Sequence, residues 1–284
     1  MNHLFKRTVV LLNSFDYMDD LLKRAEGFAR AHKTTLEILY VHEAPLFDLP
    51  DFFSLSEGHS AEAINKTQIR HQIQSHLDAC GIQGDHAILV YEDDTLDQVI
   101  HYGKGDKDIL FVTAYHETLS ADLIEKTPHS FWIIKDPQKQ DYKKVVIPID
   151  FTQESKKVLN ATKHIFAQSE IHMVHDYRYL LDTISVPIDY LDISPVVTSD
   201  LIAINEVLKQ ERAEMFEAYR EEFGVDGVCL EAEGALDEDL IAYIGAHSFD
   251  LIVMYHQDTD LFLSPTLILY LLNDLDLDFF VFNL

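Results

Sequence analysis

"TVVLLNSFDYMDDLLKRAEGFA" (residues 8–29) aligns without a gap onto "KVVIPIDFTQESKKVLNATKHI" (144–165), pairing Val9 with Val145, Val10 with Val146, Phe15 with Phe151 and Ala25 with Ala161. A shorter connection in the second copy brings "YVHEA" (40–44) onto "MVHDY" (173–177). Asp97, Gly103 and Asp108 then pair with Asp239, Gly245 and Asp250 at one constant offset. Self-similarity at a fixed period marks a duplicated structural unit. The chain therefore reads as a tandem repeat of roughly 140 residues per copy. Its domains are expected at 1–138 and 139–284, joined through the polar stretch "KDPQKQDYK" (135–143), which has one proline and no apolar periodicity.

Within each copy, short apolar runs alternate with segments of helical periodicity, the pattern of an α/β fold with a parallel sheet covered by helices on both faces. In the first copy the expected strands are 7–13, 35–41, 85–91, 108–113 and 131–135, with helices at 18–32, 61–80, 95–104 and 119–126. In the second the strands are 144–149, 170–175, 226–232, 250–255 and 279–283, with helices at 153–167, 199–222, 236–246 and 265–274. Leu22, Ala25 and Ala29 keep helical spacing, Thr152 is a good N-cap for the matching helix, and Thr95 and Asp97 lead into the next one.

With 284 residues, 47% hydrophobic and 11% aromatic, the chain is long and apolar enough to bury a sizeable core. The formal net charge of −27 argues against binding to nucleic-acid backbones or anionic membranes, both of which would repel it. Cys80 and Cys229 lie in different copies with no C-x-x-C spacing, so neither a disulfide framework nor a zinc knuckle is expected. Both read as small packing residues rather than redox switches. The apolar run near the N-terminus, Val9 to Leu12, is too short for a signal or spanning segment, and the expected location is cytoplasmic.

"KKVVIPIDFTQESKKVLNATKHIFAQSEIHMVHD" (143–176) and "GALDEDLIAYIGAHSFDLIVM" (234–254) resemble the opening and the third helix and fourth strand of universal stress protein domains. The resemblance covers both halves and implies a tandem member of that family. It implies two doubly wound, five-stranded parallel sheets of order 3-2-1-4-5, adenine nucleotide alpha hydrolase-like, with a ligand cleft at the carboxyl ends of strands 1 and 4. Open α/β sheets place ligands at that switch point in general. It also implies that the halves pair as a family homodimer does, through the edges "SFWIIK" (130–135) and "DFFVFN" (278–283), and that the fused pair is able to dimerise further.

Many members of the family bind ATP through G-x2-G-x9-G and a following Ser or Thr after strand 4. Glycine is needed there because backbone amides reach phosphates only where no side chain intervenes. In "DLIVMYHQDTDLF" (250–262) the first two glycine positions hold Tyr255 and Asp258. The third holds Pro265, followed by Thr266, on a shortened spacer; the first copy offers Thr113 and His116. Asp258 and Asp260 would face phosphate oxygens with no Lys or Arg in the loop. Ser14 replaces the acid that Asp150 keeps.

The residues expected around a ligand in the second cleft are Asp150, His175, Tyr255, His256 and Thr266, and Asp150, His175 and His256 are candidates for a two-His-one-carboxylate metal site. The competing structural reading has Asp150 capping a turn, His175 buried or hydrogen-bonded at the strand edge, and His256 in a solvated loop. The first copy has only Ser14, His42 and His116 in comparable places. The apolar, proline-containing segments 43–60 and 176–199 are expected to cover the boundary between the copies, or else to line an apolar ligand pocket.

No nucleophile elbow, P-loop, dinucleotide fingerprint or H-E-x-x-H is present in the sequence. The expectation is a non-catalytic stress-response protein, acting in sensing or in protein interaction, with a degenerate nucleotide site and no cofactor. One alternative is a small-molecule or metal sensor using the second cleft; the other is an ATP-binding stress protein with residual nucleotide affinity. A small molecule or a protein is the expected partner.

Overall fold

The strongest sequence feature, a run of apolar residues bounded by acids and lysines, becomes a strand buried on both faces, as parallel strands under helices must be. A computed structural model describes residues 4–43, 65–84, 86–137, 139, 141–176, 195–230, 236–256 and 265–283, with only the backbone for 195–206, 236–238, 265 and 266. The chain divides into two compact units, Met1–Gln140 and Asp141–Leu284, at a point inside the polar stretch 135–143.

Unit 1 runs β1 (Arg7–Leu12), α1 (Met18–His32), β2 (Thr35–His42), α2 (Lys66–Ala79), β3 (Ala87–Glu92), α3 (Thr95–Tyr102), β4 (Ile109–Ala114), α4 (Glu117–Lys126) and β5 (Ser130–Ile134). Its strands lie in the order β3-β2-β1-β4-β5, each parallel to its neighbour. Unit 2 runs β6 (Lys144–Pro148), α5 (Gln153–Ile165), β7 (Glu170–Asp176), α6 (Pro195–Phe223), β8 (Asp226–Leu230), α7 (Leu236–Ala246), β9 (Leu251–His256), α8 (Pro265–Asp274) and β10 (Asp278–Asn283). Its order is β8-β7-β6-β9-β10, again parallel. The α/β class expected from the alternating pattern is the one observed. In each unit the order reverses between the first and fourth strands, and the crevice opens at their carboxyl ends.

Local chemistry sets the element ends. Asn65 caps α2 by accepting from the Gln68 amide at 3.1 Å, so that helix starts at Lys66; the expected residues 61–64 lie outside the described residues. Asp94 caps α3 through the Asp97 amide at 3.0 Å, which corrects the leading role given to Thr95 and Asp97. Buried Thr95 instead donates to Glu43 at 2.7 Å. Thr152 caps α5 as the sequence predicts, accepting from the Ser155 amide at 3.2 Å. Helix α6 starts at Pro195, where the ring fixes a helical φ and the missing N–H costs nothing, so residues 195–199 belong to a helix and not to a loop. Residues 44–60 and 177–194, to which the sequence assigns covering or pocket-lining roles, lie outside the described residues.

The helices bury the stripes their spacing implies. In α1 these are Leu21, Leu22, Ala25, Phe28 and Ala29; in α6, Phe216, Tyr219 and Phe223. Gly227 of β8 has no room for a side chain, hemmed in by the neighbouring strand β7 and by α6. A Cβ there would stand 2.4 Å from the Met173 carbonyl oxygen and 2.8 Å from Cζ of Phe216. Gly227→Ala is expected to cost about 1–3 kcal/mol through overpacking, seen as a lower urea midpoint with an unchanged m-value. Among the described residues, no helix is long and apolar enough to cross a membrane.

Candidate functional site

Strand β6 delivers Asp150 to the mouth of the unit 2 crevice, and the turn into α5 closes on it. The Thr152 amide (3.0 Å) and hydroxyl (2.6 Å) both donate to Asp150 Oδ1, and so does the Ser155 hydroxyl. This is the turn-capping role open to an Asp at that position. Phe151, between them, adopts φ 64°, a left-handed conformation that a bulky residue takes up only when its surroundings enforce it. Its ring is held 4.4 Å from His175, 5.2 Å from Tyr219 and 6.4 Å from Phe216, with the Arg212 guanidinium 5.7 Å away. The Tyr219 hydroxyl donates to the Thr152 carbonyl at 3.1 Å. Burial, with help from the Asp150 and Glu222 charges, pushes the Tyr219 phenol up to about 12.

Strand β9 brings Tyr255 in from the other side. Its ring is fully buried, and its hydroxyl lies 2.9 Å from Thr152 Oγ1 and 3.0 Å from Ser155 Oγ. Both of those hydroxyl hydrogens already serve Asp150, which leaves the phenol as the donor. Burial first, and then the Asp150 carboxylate, push the Tyr255 phenol well above its ordinary range, so it stays protonated at neutral pH. The ladder with β10 continues to His256, opposite Asn283, so the first-glycine position is a strand residue rather than part of a loop. Thr113 likewise falls inside β4 and is buried.

His175 is also buried, and its Nδ1 stands 2.7 Å from the Ile149 carbonyl oxygen. A carbonyl only accepts, so Nδ1 carries the proton. Burial is the largest influence and lowers the imidazole to about 4; the Ile149 hydrogen bond and Asp150 oppose this, while Arg212 adds to it. His256 is buried at 6% exposure and does not lie in the solvated loop that the structural reading gave it. Among the described residues no group of three or more His, Cys, Asp and Glu is placed to hold a metal ion. Asp150, His175 and His256 therefore do not form the ligand set expected from the sequence. Asp150 Oδ1 is turned to Thr152 and Ser155, and His175 Nδ1 to Ile149. Thr266 lies in the first turn of α8, its side chain outside the described residues together with Asp258 and Asp260.

The unit 1 crevice is built differently. Ser14 is held in a local turn with Asp16 at 3.2 Å, and the His116 amide donates to Ser120 at 2.9 Å. His42 ends β2. Sequence reasoning missed Ser155, Phe151, Tyr219 and Arg212. Two of these left a signal: Thr152 and Ser155 are three apart at a helix start, and Phe216, Tyr219 and Phe223 follow one helical stripe.

The observed arrangement defines a class: a duplicated, doubly wound α/β protein in which Tyr255, near the end of the fourth strand of unit 2, is buried against the start of α5. No protein-family model matches the sequence, nor does any curated protein. Solved structures do. A universal stress protein from Archaeoglobus fulgidus DSM 4304 superposes with a TM-score of 0.58 at 13% identity, over 99% of this chain and 98% of that one. A protein of unknown function from Pseudomonas aeruginosa PAO1 gives 0.63 at 11% identity, over 99% and 94%. The chain has the universal stress protein fold, and the resemblance read from residues 143–176 and 234–254 holds at the level of structure.

Proposed function

We propose that this chain is a two-copy universal stress protein with a non-catalytic, cytoplasmic role in stress sensing or protein interaction, in which the nucleotide site has been lost. The observation that carries this reading is Tyr255. Its buried ring and its hydroxyl, bonded to Thr152 and Ser155, stand where a phosphate loop would need a glycine. Cys80 and Cys229 lie in separate units and are not joined in a disulfide, which suits a reducing compartment.

Thermal unfolding with and without millimolar Mg-ATP tests the reading. A ligand at one hundred times its Kd stabilises by about 2.7 kcal/mol, so a clear rise in Tm would contradict it. An unchanged Tm is expected.

A second reading, a small-molecule sensor in the unit 2 crevice, is favoured by one observation. Asp150 Oδ2 is shielded from solvent and has no hydrogen-bond partner among the described residues. Native mass spectrometry of the protein from its own host would show a retained small molecule if this reading holds.

A further inference from the structure

Unit 1 carries a half-buried polar cluster at the opposite, amino-terminal end of its strands. Arg7, the first residue of β1, grips Glu37 of β2 through Nε at 2.7 Å and Nη2 at 2.8 Å. Its Nη1 reaches Asp106, in the loop between α3 and β4, at 3.3 Å. Tyr102, at the end of α3, bonds both Arg7 and Glu37 and lies under the guanidinium, 4.7 Å from ring centroid to Cζ.

His129 sits beside this cluster, in the turn before β5, and is 3% exposed. Its ring packs against Phe111 of β4 at 5.3 Å and 61°. It also covers Gly103 so closely that a Cβ there would fall 2.0 Å from Nε2. Nδ1 is shielded from solvent and has no hydrogen-bond partner among the described residues. The niche thus suits a neutral imidazole: the wall from β4 is apolar and α3 offers a bare backbone. The charges that face it are Asp106 from the loop and Arg7 from β1, the latter already neutralised by Glu37.

We propose that His129 is an acid-sensitive latch on unit 1: neutral, it fills the niche over Gly103, and protonated, it leaves for water and loosens the α3–β4 corner and the start of β5. A charged imidazole carries two N–H donors, and among the described residues Nδ1 meets no acceptor. Burial lowers its basicity most; Asp106 raises it and Arg7 lowers it again. The sign follows from the unfolded chain, where His titrates near about 6.5. The latch is fully set above that pH and is lost as the pH falls below it, because the unfolded state then binds the proton more readily. The inference does not depend on the family reading.

Hydrogen exchange of the full chain at neutral and mildly acidic pH, corrected for the intrinsic rate, tests it. Protection in peptides spanning 98–111 and 127–134 is expected to fall at least about tenfold in acid. His129→Gln and His129→Asn are expected to remove that dependence. Equal protection at both pH values in the unmodified chain, or the same loss in both variants, would overturn the latch. Should neither variant fold, the imidazole's own NMR titration decides: ordinary titration with unit 1 amides still protected overturns it, and neutrality until protection is lost supports it.

Discussion

Tyr255→Ala is expected to lower the stability of unit 2 by about 3–5 kcal/mol, the range for truncating a fully buried aromatic. The ring fills the space between β9 and the start of α5, and its loss leaves a cavity next to Asp150, Thr152 and Ser155. Tyr255→Phe separates packing from hydrogen bonding. It keeps the ring, leaves Thr152 and Ser155 bonded to Asp150, and removes one donor, for an expected cost of about 1–2 kcal/mol. The check is exchange protection or urea unfolding followed on β6 and β9. A cost below about 1 kcal/mol for the alanine variant would mean that the ring does not fill this space.

The second large effect concerns pH. His175 is 2% exposed and is held neutral, near about 4 when folded, against about 6.5 when unfolded. Its folded value is depressed, so the unfolded state takes up the proton first as the pH falls. Unit 2 is then fully stable above about 6.5 and loses about 3 kcal/mol between there and pH 4. Other groups titrate in the same range, carboxylates above all in so acidic a chain, and the comparison must therefore be with His175→Gln. The stability gap between the two proteins is expected to narrow by about 3 kcal/mol between pH 7 and pH 4. A gap that stays constant would show that His175 does not carry the dependence.

The fold was legible because duplication doubles the signal. Val9 with Val145, and Asp108 with Asp250, turn two weak patterns into one strong one. The elements follow from periodicity, because burial on both faces and helical stripes leave their mark on adjacent residues. The site was only half legible. The residues at the glycine positions of the family pattern could be read directly, but their contacts could not, because they join residues a hundred positions apart, Tyr255 with Ser155 and Thr152. The metal candidates failed for a related reason. Sequence places Asp150, His175 and His256 on neighbouring strand ends but not the direction of each polar atom, and Thr152 and Ile149 claim those of Asp150 and His175. The Arg7–Glu37–Tyr102 cluster left no sequence signature, since three isolated polar residues on different elements look like ordinary surface.

The central proposal is that unit 2, with Tyr255 buried against Thr152 and Ser155, does not take a nucleotide. Isothermal titration of the full chain with Mg-ATP into the millimolar range tests it most directly. No saturable heat is predicted. A saturable isotherm approaching one nucleotide per chain would contradict the account.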